Sequence, residues 1–98
     1  MLVQGPSMAP ALRHGDQVLV LFGTRPAGPG AVVVVELPDG TLAVKRMTRA
    51  DPGGRVWVEG DNSFGSTDSR TLGALPAEAV LGRVLLRLWP PGYVRTSP

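Results

Sequence analysis

Thirteen glycines and ten prolines are scattered through 98 residues, and this density of breakers decides most of what the chain can become. Proline inside a helix loses a backbone donor and clashes with the turn before it, at about 3 kcal/mol, and glycine costs about 1 kcal/mol more than alanine. Long helices are therefore excluded, and the chain must build from short segments between turns. The β-branched and γ-branched aliphatic residues are Val and Leu, with no Ile; Val favours strands. At 43% hydrophobic and 18% charged, the composition is globular rather than disordered. The length suits one domain, residues 1–98, with a thin core, since a chain this short buries roughly two-thirds of its unfolded surface.

Turn signals divide the chain. Leu2–Gln4 is a short strand, broken by Gly5-Pro6. Ser7–Leu12 predicts a single helical turn with Ser7 as its N-cap. Asp16–Phe22 predicts a strand, and 23–30 a Pro/Gly loop. Ala31–Leu37 and Thr41–Thr48 flank Pro38-Asp39-Gly40 and predict a hairpin. After the Asp51-Pro52-Gly53-Gly54 turn, Arg55–Glu59 alternates as a strand. Residues 60–75 read as a long polar loop without structure of its own, and such loops in small domains are usually functional. Pro76–Ala79 predicts a helical turn and Val80–Trp89 a last strand. Residues 90–98 read as a frayed tail. The class is all-β, with short, mostly antiparallel strands and one long functional loop.

Several functions are excluded at once. There is no Cys, so no disulfide, thiolate metal site or Cys nucleophile. One His and scattered acidic residues offer no zinc site, and no cofactor is expected. The ten basic residues form no stripe, so nucleic acid is not an expected partner. The longest apolar runs, Val18–Phe22 and Ala31–Val35, are five residues each, far short of the roughly 20 residues of a bilayer span. Gly5 and Pro6 interrupt the start, so no signal peptide is expected.

One count points to chemistry. Nine of the ten basic residues are Arg, and Lys45 is the single Lys. Arg cannot lose its proton near neutrality, whereas a buried Lys can. On its strand, Lys45 shares a face with Ala43 and Met47 by period two; apolar neighbours would desolvate the ammonium and lower its pKa. A serine hydroxyl needs such a base to become a nucleophile. Ser7, placed at a turn, is the candidate, and either Lys45 or the lone His14 could serve as its base.

Four segments then stand together: G-P-S-M-A-P-A-L at 5–12 followed by H-G-D at 14–16, V-K-R at 44–46, G-D-N at 60–62, and S-T-D-S-R at 66–70. In this order they resemble the type I signal peptidases and their relatives, Ser–Lys proteases that share a fold with LexA-type self-cleaving repressors. The resemblance runs from Gly5 to about Leu88 and implies their compact β fold. It implies Ser7 as nucleophile, Lys45 as general base, and Ser66 as the residue that orients the lysine. Asp61, Asp68 and Arg70 would brace the loop that holds Ser66. Met8 would pack beside the dyad and line a substrate pocket. Some relatives carry a hydroxyl two residues before the nucleophile; Gly5 stands there, leaving the Ser7 backbone N–H as the expected oxyanion donor. Trp57 is expected in the core, Trp89 over the sheet end, and His14 in a solvated turn.

Membrane signal peptidases add N-terminal anchors and an apolar docking surface. With only six residues before Ser7, the chain is most similar to short anchorless members that resemble the maturation proteases of nickel superoxide dismutase. The implied partner is a protein with an N-terminal pro-segment or leader, and the implied location cytoplasmic. Two alternatives remain: the catalytic domain of a membrane signal peptidase, acting at the extracytoplasmic face, and a non-catalytic β-domain of the same fold. A self-cleaving module would need a cleavage segment upstream of Ser7, for which six residues leave no room.

Overall fold

The computed structural model describes residues 1–23, 28–51, 53–65 and 67–94. Its centre is the most apolar segment of the chain. Strand β2 (Val32–Glu36) carries four consecutive valines, each 0–1% exposed. A run that is apolar on both faces belongs inside a sheet covered on both sides, and β2 lies between β5 (Val80–Trp89) and β3 (Leu42–Ala50). Strand β1 (Gln17–Phe22) pairs with the far side of β5, and β4 (Val56–Glu59) with the far side of β3. A two-residue strand β6 (Gly92–Tyr93) adds to β5. All these pairings are antiparallel, as expected of the all-β class.

Each face of the sheet covers its own core. Val32, Val34 and Val44 pack with Val3, Met8, Leu12, Val18, Val84 and Val94. Val33 and Val35 pack on the other side with Met47, Val56, Val58 and Leu75. The alternation of strand side chains thus splits one valine run between two cores. The expected β2–β3 hairpin forms, closed by Leu37 N–H donating to Thr41 O at 2.8 Å and by Thr41 N–H donating to Asp39 Oδ1 at 2.9 Å. Gly40 supplies the positive φ, 87°, that this turn needs.

Three expectations are corrected. The segment 60–75 is not structureless: it holds a 3-10 turn at Ser63–Gly65, a one-turn helix α1 at Ser69–Leu72, and a bridge from Leu75 to Val56. The frayed tail is also shorter than read. Trp89-Pro90-Pro91 reverses the chain, Arg87 Nε holds Pro90 O at 2.6 Å, Gly92–Tyr93 pairs back on β5, and Val94 enters the first core. Residues 95–98 of that tail, 24–27 of the Pro/Gly loop and Pro52 of the turn lie outside the described residues. Trp57 is half-buried rather than core, with the Arg49 guanidinium 4.2 Å above its ring, and Trp89 is exposed.

The tightest approach in the sheet is at Gly82, which pairs with Phe22 on one side and Val34 on the other. A Cβ there would lie 2.8 Å from Leu21 O and 3.0 Å from Val20 Cγ1. Part of that obstruction is backbone, so β1 itself would have to move. Gly82→Ala should cost about 1–3 kcal/mol and lower Tm by about 5–20 °C. Gly53→Ala, which meets nothing within 4 Å and has no positive φ, should change stability by less than about 1 kcal/mol. Thermal melts followed by circular dichroism compare the two; equal melting temperatures would contradict the close approach.

Candidate active site

β4 is short and pairs only with the second half of β3, from Arg46 to Ala50. Leu42, Ala43 and Val44 keep β2 on one edge but, among the described residues, meet no strand on the other. A cleft of about 650 Å³ opens along this edge, with Thr41–Lys45 as one wall and Met1–Ser7 as the other. The second wall is fixed by backbone bonds: Val3 N–H to Asp16 O and Gly15 N–H to Val3 O, both 2.8 Å. Ser7 and Lys45, 38 positions apart in the chain, thus line the same cleft. Ser7 is half-buried in a turn closed by Ala9 N–H donating to Pro6 O at 3.0 Å and Leu12 N–H to Met8 O at 2.9 Å.

Lys45 is 3% exposed. Burial pushes its ammonium below the ordinary lysine range, Asp68 opposes this, and the Arg70 guanidinium adds to it. Asp68 does not act as a simple counter-ion because its charge is already engaged. It is 0% exposed, and it accepts Arg70 Nη2 at 2.6 Å and Arg70 Nε at 3.1 Å. It also accepts two backbone donors, Gly60 N–H at 2.8 Å and Arg70 N–H at 3.0 Å, the latter as N-cap of α1. Charge-assisted bonds of this kind are the strong ones. Arg70 Nη2 also reaches Gly60 O at 3.0 Å, so both polar groups of Gly60 are held by the Asp68–Arg70 pair. Ser69 Oγ accepts Val58 N–H at 2.9 Å, fastening α1 to β4.

Of the expected loop braces, Asp68 and Arg70 pair with each other. Asp61 does not join them: it takes Arg46 instead, in a fork of 2.8 and 2.9 Å. Arg46, itself 2% exposed, donates its remaining nitrogen to Gly30 O at 2.8 Å. Met8 is core, not cleft wall: it is 0% exposed and packs with Val3, Leu12 and Val18. His14 is exposed and accepts Gly5 N–H at Nδ1, 2.9 Å; it is not among the residues lining the cleft. Ser66 falls outside the described residues. Among the described residues, no three His, Asp or Glu side chains gather as a metal site.

Three contributors were missed in the sequence: Arg46, Asn62 and Ser69. The signal for Arg46 was present, because two adjacent cations inside an apolar strand require a partner for at least one of them. Asn62 and Ser69 were inside quoted motifs, but a loop read as structureless offers no reason to give their side chains targets.

Residues 1–84 match the family described as Peptidase S24-like. The chain is 52% identical over 42 residues to mitochondrial ATP-independent inner membrane protease subunit 1a of Arabidopsis thaliana, covering 43% of this chain and 25% of that protein. Over 92% of its length it is 32% identical to mitochondrial inner membrane protease subunit 1 of Xenopus tropicalis, covering 68% of that protein. Thylakoidal processing peptidase 1 of Arabidopsis thaliana is 49% identical over 43 residues, covering 44% of this chain and 13% of the peptidase. The chain thus spans between 13% and 68% of the length of these relatives.

Because Lys45 is the single Lys, its titration can be read without ambiguity in protein labelled with carbon-13 at lysine Cε. It should titrate below the ordinary lysine range. Removing Arg70 deletes a positive charge that lowers this pKa and releases Asp68, whose charge raises it. Both effects have the same sign, so Arg70→Ala should move the titration to higher pH. An ordinary midpoint in the unmutated protein, or no upward movement in the variant, would refute this electrostatic account.

Proposed function

The chain belongs to the Peptidase S24-like family, and on that premise we propose that it is a serine endopeptidase in which Ser7 is the nucleophile and Lys45 the general base. The observation that carries this reading is the cleft shared by Ser7 and a buried, pKa-lowered Lys45. A neutral amine can accept the hydroxyl proton, which an ordinary surface lysine cannot do near neutrality.

The substrate is an extended polypeptide. It enters along the unpaired edge of Leu42–Val44 and makes main-chain hydrogen bonds as an added strand. Lys45 takes the Ser7 proton as Oγ attacks the scissile carbonyl. The Ser7 backbone N–H stabilises the oxyanion. Lys45 then gives the proton to the leaving amine, and water, deprotonated by Lys45, releases the acyl group and restores Ser7. Ser66 is proposed to orient Lys45, with Asp68 and Arg70 fixing the loop around it.

Two substrate classes follow. The resemblance to nickel superoxide dismutase maturation proteases proposes removal of an N-terminal pro-segment, with a nickel superoxide dismutase precursor as the substrate. A second reading, processing of leaders at a membrane surface, has its own observation. Leu19, Leu21, Phe22, Trp89 and Tyr93 are exposed on β1 and at the β5–β6 end, although no described helix is long and apolar enough to cross a membrane. Sedimentation with anionic phospholipid vesicles separates the two: the membrane reading requires binding that Phe22→Ser with Trp89→Ser weakens.

The catalytic reading is tested by substitution. The protein is incubated with a nickel superoxide dismutase precursor and with an amine-blocked tryptic peptide library, and new N-termini are read by mass spectrometry. Lys45→Arg keeps the charge but not the basicity, and cleavage should fall by about 10²–10⁴-fold. Ser7→Ala should fall as far, and the double variant no further, because the pair acts as a unit. A folded Lys45→Arg protein that cleaves normally would end the reading.

A further inference from the structure

The turn that carries Ser7 and the strand that carries Lys45 are far apart in sequence, and two consecutive loop residues join them. Asp61 holds Arg46, the neighbour of Lys45, through both carboxylate oxygens. Asn62 holds the Ser7 turn. Its backbone N–H donates to Ser7 O at 2.8 Å, and its Nδ2 donates to Pro6 O at 3.1 Å. Its Oδ1 accepts Phe64 N–H at 3.2 Å. A carbonyl can only accept and a backbone N–H can only donate, so these partners fix the orientation of the amide. Fixing the carbonyls of residues 6 and 7 fixes the peptide planes on both sides of the Ser7 Cα, and with them the direction in which Oγ leaves the backbone.

We propose that Asn62 is a positioning residue: its side-chain clamp on Pro6 O sets the Ser7 turn against Lys45, while Asp61–Arg46 anchors the same loop to the lysine strand. This rests on the Ser7–Lys45 reading above. The clamp acts on geometry and leaves the charges around Lys45, those of Asp68 and Arg70, unchanged. It therefore affects the chemical step, and neither substrate affinity nor the titration of the base.

Two variants separate the clamp from the turn. Asn62→Ala removes both side-chain bonds. Asn62→Asp keeps an acceptor for Phe64 N–H, so the 3-10 turn stands, but replaces the donor facing Pro6 O with a second acceptor. The probe is the best-cleaved library peptide, resynthesised with a fluorophore and quencher, and folding is followed by circular dichroism. Both variants should fold and lose about 10–100-fold in kcat, the scale expected of a misplacement near 1 Å. Their KM should match the unmutated enzyme, and so should the acid limb of the Asn62→Ala pH profile, since that variant adds no charge. Full activity in Asn62→Asp overturns the proposal, since only the turn would then matter. So does a rise in KM at constant kcat, a shifted acid limb in Asn62→Ala, or a loss explained by unfolding of both variants. If Ser7→Ala and Lys45→Arg are inactive in this assay while the Asn62 variants are normal, only the clamp is wrong. If the unmutated protein leaves the library uncleaved, or Ser7→Ala cleaves as well as it does, the Ser–Lys reading falls and the clamp with it.

Discussion

Two adjacent cations, Lys45 and Arg46, are buried in one strand, and much of the loop architecture is organised by how each is accommodated. Neighbouring strand residues project to opposite sides, so a single counter-charge cannot serve both. Removing either charge from water costs several kcal/mol unless it is paired or neutralised. Arg46 is met in full, by the Asp61 fork and Gly30 O; a guanidinium cannot shed its proton, so pairing is its only solution. Lys45 has Asp68 near it, but Asp68 is already engaged by Arg70 and two backbone donors. Burial therefore dominates, and the lysine moves toward its neutral form. One strand thus holds a permanent cation beside a titratable one, which on the proposed reading is the general base.

The segment 60–70 exists to satisfy these demands. Gly60 is closed by Asp68 and Arg70, Asp61 answers Arg46, Asn62 holds the Ser7 turn, and Ser69 fastens the helix to β4. Each of the four short polar residues Asp61, Asn62, Asp68 and Ser69 has a backbone or charged target within hydrogen-bond distance. Among the described residues, no buried side-chain nitrogen or oxygen lacks a partner, which is what lets so polar a loop sit against two apolar cores.

This division explains what the sequence could reveal. The valine run of β2, the Pro38-Asp39-Gly40 turn and the full span of β5 follow local rules of apolar patterning and turn chemistry, and each was legible. The lone Lys among Arg residues was also legible, since it is a matter of residue type. The Asp61–Arg46 pair was not, because charge pairing is decided by which segments meet in space, and Arg70 and Arg46 are equal partners on paper. The strand Gly92–Tyr93 was hidden for a similar reason. Pro90 and Pro91 signal the end of a strand, but only the docking of Val94 beside Val3 and Val84 makes the chain fold back. Met8 was misread because an apolar residue beside the proposed nucleophile suits a cleft wall as well as a core; its complete burial decides for the core.

The cleft itself is best understood as the place of a missing strand. An unpaired strand edge attracts any extended chain, and proteins usually blunt such edges with charge, proline or a covering loop. Along Leu42–Val44 there is no charged side chain until Lys45, and Leu42 is half exposed. The covering is instead offset: Met1–Ser7 stands across the cleft rather than on the edge, held away by its bonds to residues 15, 16 and 18. β4 cannot extend to fill the gap, because after Glu59 the chain must turn at Gly60 to deliver Asp61 and Asn62 to Arg46 and the Ser7 turn. The same bonds that position Ser7 and anchor the lysine strand therefore end β4 early. An open edge beside Ser7 is the structural consequence, and on the proposed reading it is what lets main-chain pairing bring a peptide carbonyl to the nucleophile.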